Sequence, residues 1–176
     1  MKVLETGRLT LRRLTTGDAG FIVRLVNGPS WLRYIGDYGV RTTDDAIKYI
    51  ERGPLAMYAR VGFGLYLVEL KETGDPIGIC GLIKRESLQD ADIGFAFLEE
   101  YWSKGYAAES ASAVLAYGRE KLRLGRIVAV SSQENHASER LLHKLGFRFE
   151  GLIRLKAGAD EVRLFALVPP EDRHGD

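Results

Sequence analysis

The hydrophobic period of this chain switches repeatedly between two and about 3.6, which restricts it to a domain mixing strands and helices. Leu9 and Leu11 alternate with Arg8, Thr10 and Arg12, so residues 8–14 read as a first strand. Asp18 then stands where a helix needs its N-cap, ahead of Phe21, Ile22, Leu25 and Val26. Residues 31–35 read as a short helical turn, and 43–52 as a helix with Ala46, Ile47 and Ile50 on one side. Residues 65–70 and 77–83 read as a hairpin turned at Gly74-Asp75-Pro76, followed by a fourth strand over 91–98. The clearest helix is 105–121, where Ala107, Ala111, Val114 and Gly118 make a narrow stripe suited to close packing on a sheet. A fifth strand over 127–130, a helix over 138–145 and strands over 149–155 and 161–168 close the pattern. Gly53-Pro54 reads as punctuation between elements. This order predicts an α/β domain, one mixed sheet of about seven strands with helices on both faces.

At 176 residues the chain has the length of one domain, expected over residues 1–168, with a polar C-terminal tail over 169–176. Its 25 basic and 24 acidic residues leave a net charge of +1, which argues against a nucleic-acid partner. A single cysteine, Cys80, cannot close an internal disulfide. No apolar run has the length of a signal peptide or a membrane span, so the expected location is the cytoplasm.

Two segments carry chemistry. Trp102-Ser103-Lys104-Gly105-Tyr106-Ala107 lies between a strand and a helix. A helix start presents unpaired backbone N–H groups and a partial positive charge to an anion, Gly105 permits close approach, and Lys104 adds a full charge. The bland alternative is an ordinary strand-to-helix turn. The loop is neither a Walker A motif nor a dinucleotide fingerprint, because the lysine-serine/threonine pair and the further glycines are missing. Downstream, Asn135 can cap a helix that Gly146 ends, with Ser138 in its first turn.

Together these segments resemble the GNAT superfamily of N-acetyltransferases. Gly105 and Ala107 match the end of that family's acetyl-CoA loop, and Asn135, Ser138, Lys144, Gly146 and Phe147 match its second motif. The start, Glu5 to Arg12 with Asp18 after it, resembles the RimJ/RimL-like branch that acetylates ribosomal-protein N-termini. So do Tyr34-Ile35-Gly36, Ile93-Gly94-Phe95, Tyr101-Trp102, Glu109, and Gly151 with Arg154. The resemblance implies a GNAT fold whose fourth and fifth strands splay apart. It also implies acetyl-CoA as co-substrate, no metal, and transfer of the acetyl group to a primary amine of a protein N-terminus or a small molecule. Ser103 stands where the branch has glycine, and Trp102 where many members have a polar residue. Leu142 stands where many members have a tyrosine that protonates the leaving thiolate.

Carried over residue by residue, the resemblance places the cofactor on Trp102, Ser103, Lys104, Gly105, Tyr106, Ala107 and Asn135, and on the strand edge at Phe97, Leu98 and Glu99. Asp92 aligns with the glutamate base of the histone-acetylating branch; a strand-end carboxylate facing solvent or an arginine is the equal alternative. Glu109 is a weaker candidate base, since a helix-start carboxylate is its more ordinary role. Ser138 is the best donor to the leaving sulfur once Leu142 is excluded. Trp31, Tyr34 and Tyr38 lie in the segment that covers the acceptor side in this branch: as a group they are expected to line the amine pocket, with core packing the alternative for each. His136 and His143 read as solvated helix residues. A catalytically silent acyl-CoA-binding sensor or scaffold remains the alternative, and a nucleotide-binding protein a more remote one.

Overall fold

The computed structural model of the protein describes residues 1–167. Val168, expected to end the last strand, and the tail 169–176 lie outside the described residues. The chain opens with a hairpin of β1 (Lys2–Glu5) and β2 (Leu9–Arg13). β1 is absent from the sequence reading because four residues are too few to display a period; its pairing with β2 defines it.

A short 3₁₀ turn, Thr16–Asp18, leads into α1 (Ala19–Val26), and here the expected capping is corrected. Asp18 makes no side-chain cap to α1. Thr15 caps the 3₁₀ turn instead, and Asp18 accepts from the Thr15 N–H and, at 2.9 and 2.7 Å, from both terminal nitrogens of Arg12. α2 (Pro29–Tyr34) begins with Pro29 in its first turn, where no N–H is needed. α3 (Thr43–Ile50) starts on a reciprocal capping box between Thr42 and Asp45.

Gly53-Pro54, read as a break, lies inside a helical run. A π-helical turn over Glu51–Leu55 connects α3 directly to α4 (Ala56–Val61), which stops at left-handed Gly62. A widened turn accommodates a proline that has no N–H to donate.

The remaining elements are β3 (Leu65–Leu70), β4 (Pro76–Ile83), β5 (Ala91–Phe97), α5 (Tyr106–Glu120), β6 (Ile127–Ser132), α6 (His136–Lys144), β7 (Arg148–Ile153) and β8 (Val162–Leu167). Among the described residues eight strands form one sheet, in the order β1-β2-β3-β4-β5-β6-β8-β7. β5 pairs antiparallel with β4 from Gly78–Phe97 to Ile83–Asp92. Its parallel pairing with β6 covers only Ala91–Ile127 and Asp92–Val128. Past Asp92 the two strands diverge and leave a wedge in the sheet. This is the splay expected between the fourth and fifth strands, displaced one number by β1.

Alternation along β3 sorts the core onto two faces. Tyr66 and Val68 pack with Leu82, with Ala111 and Val114 of α5 and with Leu142 of α6. Leu67 packs on the opposite face with Ile79, Ile22, Leu25, Trp31 and Ile50 of the α1–α3 layer. Each fully buried aliphatic side chain contributes about 1.5–3 kcal/mol. The small-residue stripe brings α5 close to the sheet: a Cβ on Gly118 would stand 2.8 Å from Leu82 Cδ1.

Candidate active site

The wedge is bounded at one end by the loop from β5 into α5. After a 3₁₀ turn over Glu99–Tyr101, Ser103 adopts φ 62° and Gly105 φ 83°. Two left-handed residues so close together curl the backbone into a concave turn of the kind that binds anions, at the start of a fifteen-residue helix. Ser103, the departure from the branch's glycine, keeps the conformation that glycine would favour.

A cavity of about 620 Å³ opens between the end of β5, the loop into α5, and α6. Phe97, Trp102, Ser103, Gly105, Tyr106, Ala107, Asn135 and Ser138 line it, as do Arg140 and Lys144 from α6. A second chamber of about 260 Å³ lies in the wedge between β5 and β6, lined by Tyr38, Tyr49, Arg85, Asp92, Gly94, Ser131 and Leu142 among others. Trp31, Tyr34, Phe95, Ala96, Asn135 and Ser138 line both. The structure therefore unites two groups of expected residues, those of the loop and those of the acceptor side.

Four expected residues do not line either space. Glu99 lies in the 3₁₀ turn after β5, where its carboxylate accepts from the Ser30 N–H at 3.2 Å. Leu98 is buried against the α1–α3 layer, and its N–H donates to the Ile77 carbonyl at 3.0 Å, so that amide is committed to the sheet. Lys104 turns its carbonyl to Arg8 Nη1 at 3.0 Å and its ammonium toward the Tyr101 ring, 5.8 Å from the centroid. Glu109 faces the β1–β2 turn, where its carboxylate accepts from the Thr6 hydroxyl at 2.5 Å, the Arg8 N–H at 3.1 Å and Arg8 Nε at 2.9 Å. Burial works to raise the Glu109 pKa, but the Thr6 and Arg8 hydrogen bonds outweigh it and hold the carboxyl below its usual range. Such a group is a poor base. Its acidic position in the first turn of α5 is explained by this tether.

Ladder alternation decides which backbone groups face the wedge. Because Leu98 donates toward β4, the main-chain groups of Phe97 and Phe95 point the other way, toward the gap. One of them is already engaged: the Phe97 carbonyl accepts from Trp102 Nε1 at 2.9 Å. That bond gives Trp102 a role in holding the loop to β5.

Asp92 shares its strand face with Gly94 and Ala96, and its residue is 1% exposed. Oδ1 accepts from Arg85 Nε at 3.0 Å, while buried Oδ2 has no partner among the described residues. Burial pushes the Asp92 carboxyl above the usual carboxylate range, with Arg85 pulling the other way. Asn135 Oδ1 accepts from the Ser138 N–H at 3.1 Å, so it caps α6 as expected and fixes the first turn that carries Ser138. Leu142, one turn on, is buried beside the chamber. His136 is exposed, and His143 lies 3.6 Å from Glu139.

Sequence reasoning missed Arg85, Tyr49, Ser131 and Arg140. Tyr49 was discoverable, because it extends the aromatic set of the chamber from α3: Trp31 meets Tyr38 edge-on at 5.8 Å, and Tyr38 meets Tyr49 at 6.1 Å. Arg85 carried no local signal, since only the β4–β5 pairing brings it to Asp92.

These residues fit a CoA thioester: left-handed loop amides and two α6 cations suit phosphates, and the free strand edge suits an amide-bearing arm. The acetyltransferase (GNAT) domain profile matches residues 8–148. The chain is 35% identical over 153 residues to the uncharacterized N-acetyltransferase YoaA of Bacillus subtilis, covering 86% of each. An acetyltransferase structure from Agrobacterium tumefaciens is similar with a TM-score of 0.82 at 24% identity, covering 96% of this chain and 95% of the other. The structure of RimL, a ribosomal L7/L12 α-N-protein acetyltransferase in complex with coenzyme A, is similar with a TM-score of 0.80 at 19% identity, covering 96% and 98%. A family match over most of the sequence, on a sheet that opens where that family's sheet is expected to open, makes this chain a member of the GNAT family of acetyl-CoA-dependent acetyltransferases.

Proposed function

We propose that the protein acetylates a primary amine that enters the aromatic chamber. The meeting of two cavities at Trp31, Tyr34, Ala96, Asn135 and Ser138 carries this reading. A sensor of acyl-CoA needs the large cleft alone; an enzyme needs a second space opening onto the same atoms. Bound acetyl-CoA would supply the activated acyl carbon, which the amine nitrogen attacks as the C–S bond breaks and CoA leaves as thiolate.

The chain's own groups divide the remaining work. Loop amides around Gly105 hold the diphosphate, and Arg140 and Lys144 flank it with positive charge. The main-chain groups of Phe95 and the Phe97 N–H, which face the gap, orient the pantetheine arm. Ser138 donates a hydrogen bond toward the departing sulfur, with its turn held rigid by Asn135. Asp92 accepts the amine proton through a water, because the carboxylate sits deep in the wall; its raised pKa makes it a stronger base than an exposed aspartate. A chamber of about 260 Å³ suits the first residue of a peptide or a small amine better than a whole aminoglycoside.

Acetyl-CoA-dependent thiol release, measured against peptides with free N-termini, polyamines, amino acids and aminoglycosides, tests the reading. One acceptor with saturable turnover is expected. Ser138→Ala should lower kcat by about 10²–10³ with CoA affinity nearly unchanged, as for loss of one preorganised donor. Wild-type kcat in that variant would remove the serine from the mechanism. CoA binding without turnover on any of these amines would favour the sensor.

A further inference from the structure

The β1–β2 turn reaches across the molecule to the back of the phosphate loop, and one arginine makes most of the connection. Arg8 donates from Nε to Glu109 at 2.9 Å and from Nη1 to the Lys104 carbonyl at 3.0 Å. Its guanidinium lies over the Tyr106 ring, 4.4 Å from the centroid. Nη2 comes within 3.3 Å of where a Cβ on Gly105 would stand. Glu109 is in turn held by the Thr6 hydroxyl and the Arg8 N–H, so the arginine's anchor is itself fixed.

A trans peptide points its C=O and the following N–H in opposite directions. The Lys104 carbonyl points at Arg8, which lies outside both cavities, so the Gly105 N–H points away from Arg8. Gly105 itself lines the large cleft. The loop it belongs to contains a non-glycine residue at positive φ, a conformation that persists only where its surroundings enforce it. We infer that Arg8, anchored by Glu109, is a positioning residue that aims the Gly105 amide at the bound phosphate. This rests on the reading of the loop as the CoA phosphate site. It also assigns Glu109 a purpose in place of the base role.

The test combines calorimetric CoA titration with the Gly105 amide resonance in ¹⁵N-labelled protein, for wild type, Arg8→Ala, Arg8→Lys and Glu109→Gln. Melting temperature is recorded for each. A variant that stays fully folded at the assay temperature has no general loss of affinity, so a weaker Kd reports the loop. Arg8→Ala should weaken CoA binding about 10- to 100-fold, the scale of one charge-assisted hydrogen bond. The downfield shift of the Gly105 amide on CoA addition should shrink with it. Arg8→Lys should recover only part of both, because one ammonium cannot serve Glu109 and the Lys104 carbonyl in a fixed plane. If Arg8→Ala does not fold, Arg8→Lys and Glu109→Gln decide the matter by the same two readouts. Wild-type-like affinity in the folded variants, or weaker affinity with an unaltered Gly105 shift, would overturn the inference alone. A wild-type protein that does not bind CoA would overturn the phosphate-site reading as well.

Discussion

Gly105 and Ser103 share the left-handed region of backbone space, but only glycine enters it without a steric cost. A valine at 105 strains that φ of 83° and presses its side chain toward Arg8. Gly105→Val should therefore weaken CoA binding at least tenfold while far-UV circular dichroism stays native; unchanged affinity would reduce the loop to a turn. Asp92 makes a different statement, about pH. Its carboxyl is pushed above the ordinary range by burial, against Arg85. A folded state with a raised carboxyl pKa binds the proton more tightly than the unfolded chain. The resulting stability is present below the unfolded value near 4 and is lost as pH rises through the folded one. Asp92→Asn cannot ionise, so its melting temperature should fall less than the wild type's as pH rises from about 4 toward neutrality. Parallel curves would show that this carboxylate does not govern the slope.

Strand β4 illustrates what element packing demands beyond propensity. Gly81 faces the Gly64–Leu65 backbone so closely that a Cβ there would stand 2.1 Å from the Gly64 carbonyl oxygen and 2.8 Å from Leu65 Cα. Main-chain atoms cannot swing aside as a side-chain end can. Gly81→Ala should destabilise the fold by about 1–3 kcal/mol, read as a fall in Tm of roughly 2–4 °C per kcal/mol at this size. A wild-type Tm would mean that β3 and β4 separate freely. Periodicity located most elements because one buried face is enough to reveal them. It missed β1 and α4, ending the helix at Arg52 before Gly53-Pro54, where a π-helical turn absorbs the proline and the helical run continues. It also set Asp18 to cap α1, whereas Arg12 takes that carboxylate.

Across the whole molecule, the wedge between β5 and β6 links stability to ligand. A ligand that binds only the folded chain raises stability by RT ln(1 + [L]/Kd), about 2.7 kcal/mol at a hundredfold excess over Kd. Millimolar acetyl-CoA or CoA should raise Tm by several degrees and ATP by far less, because ATP has no arm for the Phe95 and Phe97 edge. Equal shifts from the two would point to a general nucleotide site. Among the described residues no helix is long and apolar enough to cross a membrane.

The mixed α/β pattern, the glycine loop before α5 and the Asn135 cap were legible in the sequence because each depends on neighbours a few residues away. Backbone sterics and hydrophobic period act at that range. The fates of Glu109 and Leu98 were not legible, nor was which arginine Asp92 would meet, since each depends on a partner that chain pairing supplies. Glu109 meets Thr6 across 103 residues, Leu98 gives its amide to Ile77, and Asp92 finds Arg85 only when β4 and β5 pair. A carboxylate's chemistry follows from the charges, donors and solvent around it, and in this chain tertiary packing placed those groups. Short-range pattern located most of the elements and the loop; long-range pairing set which acid is tethered, which is buried, and where a second chamber opens.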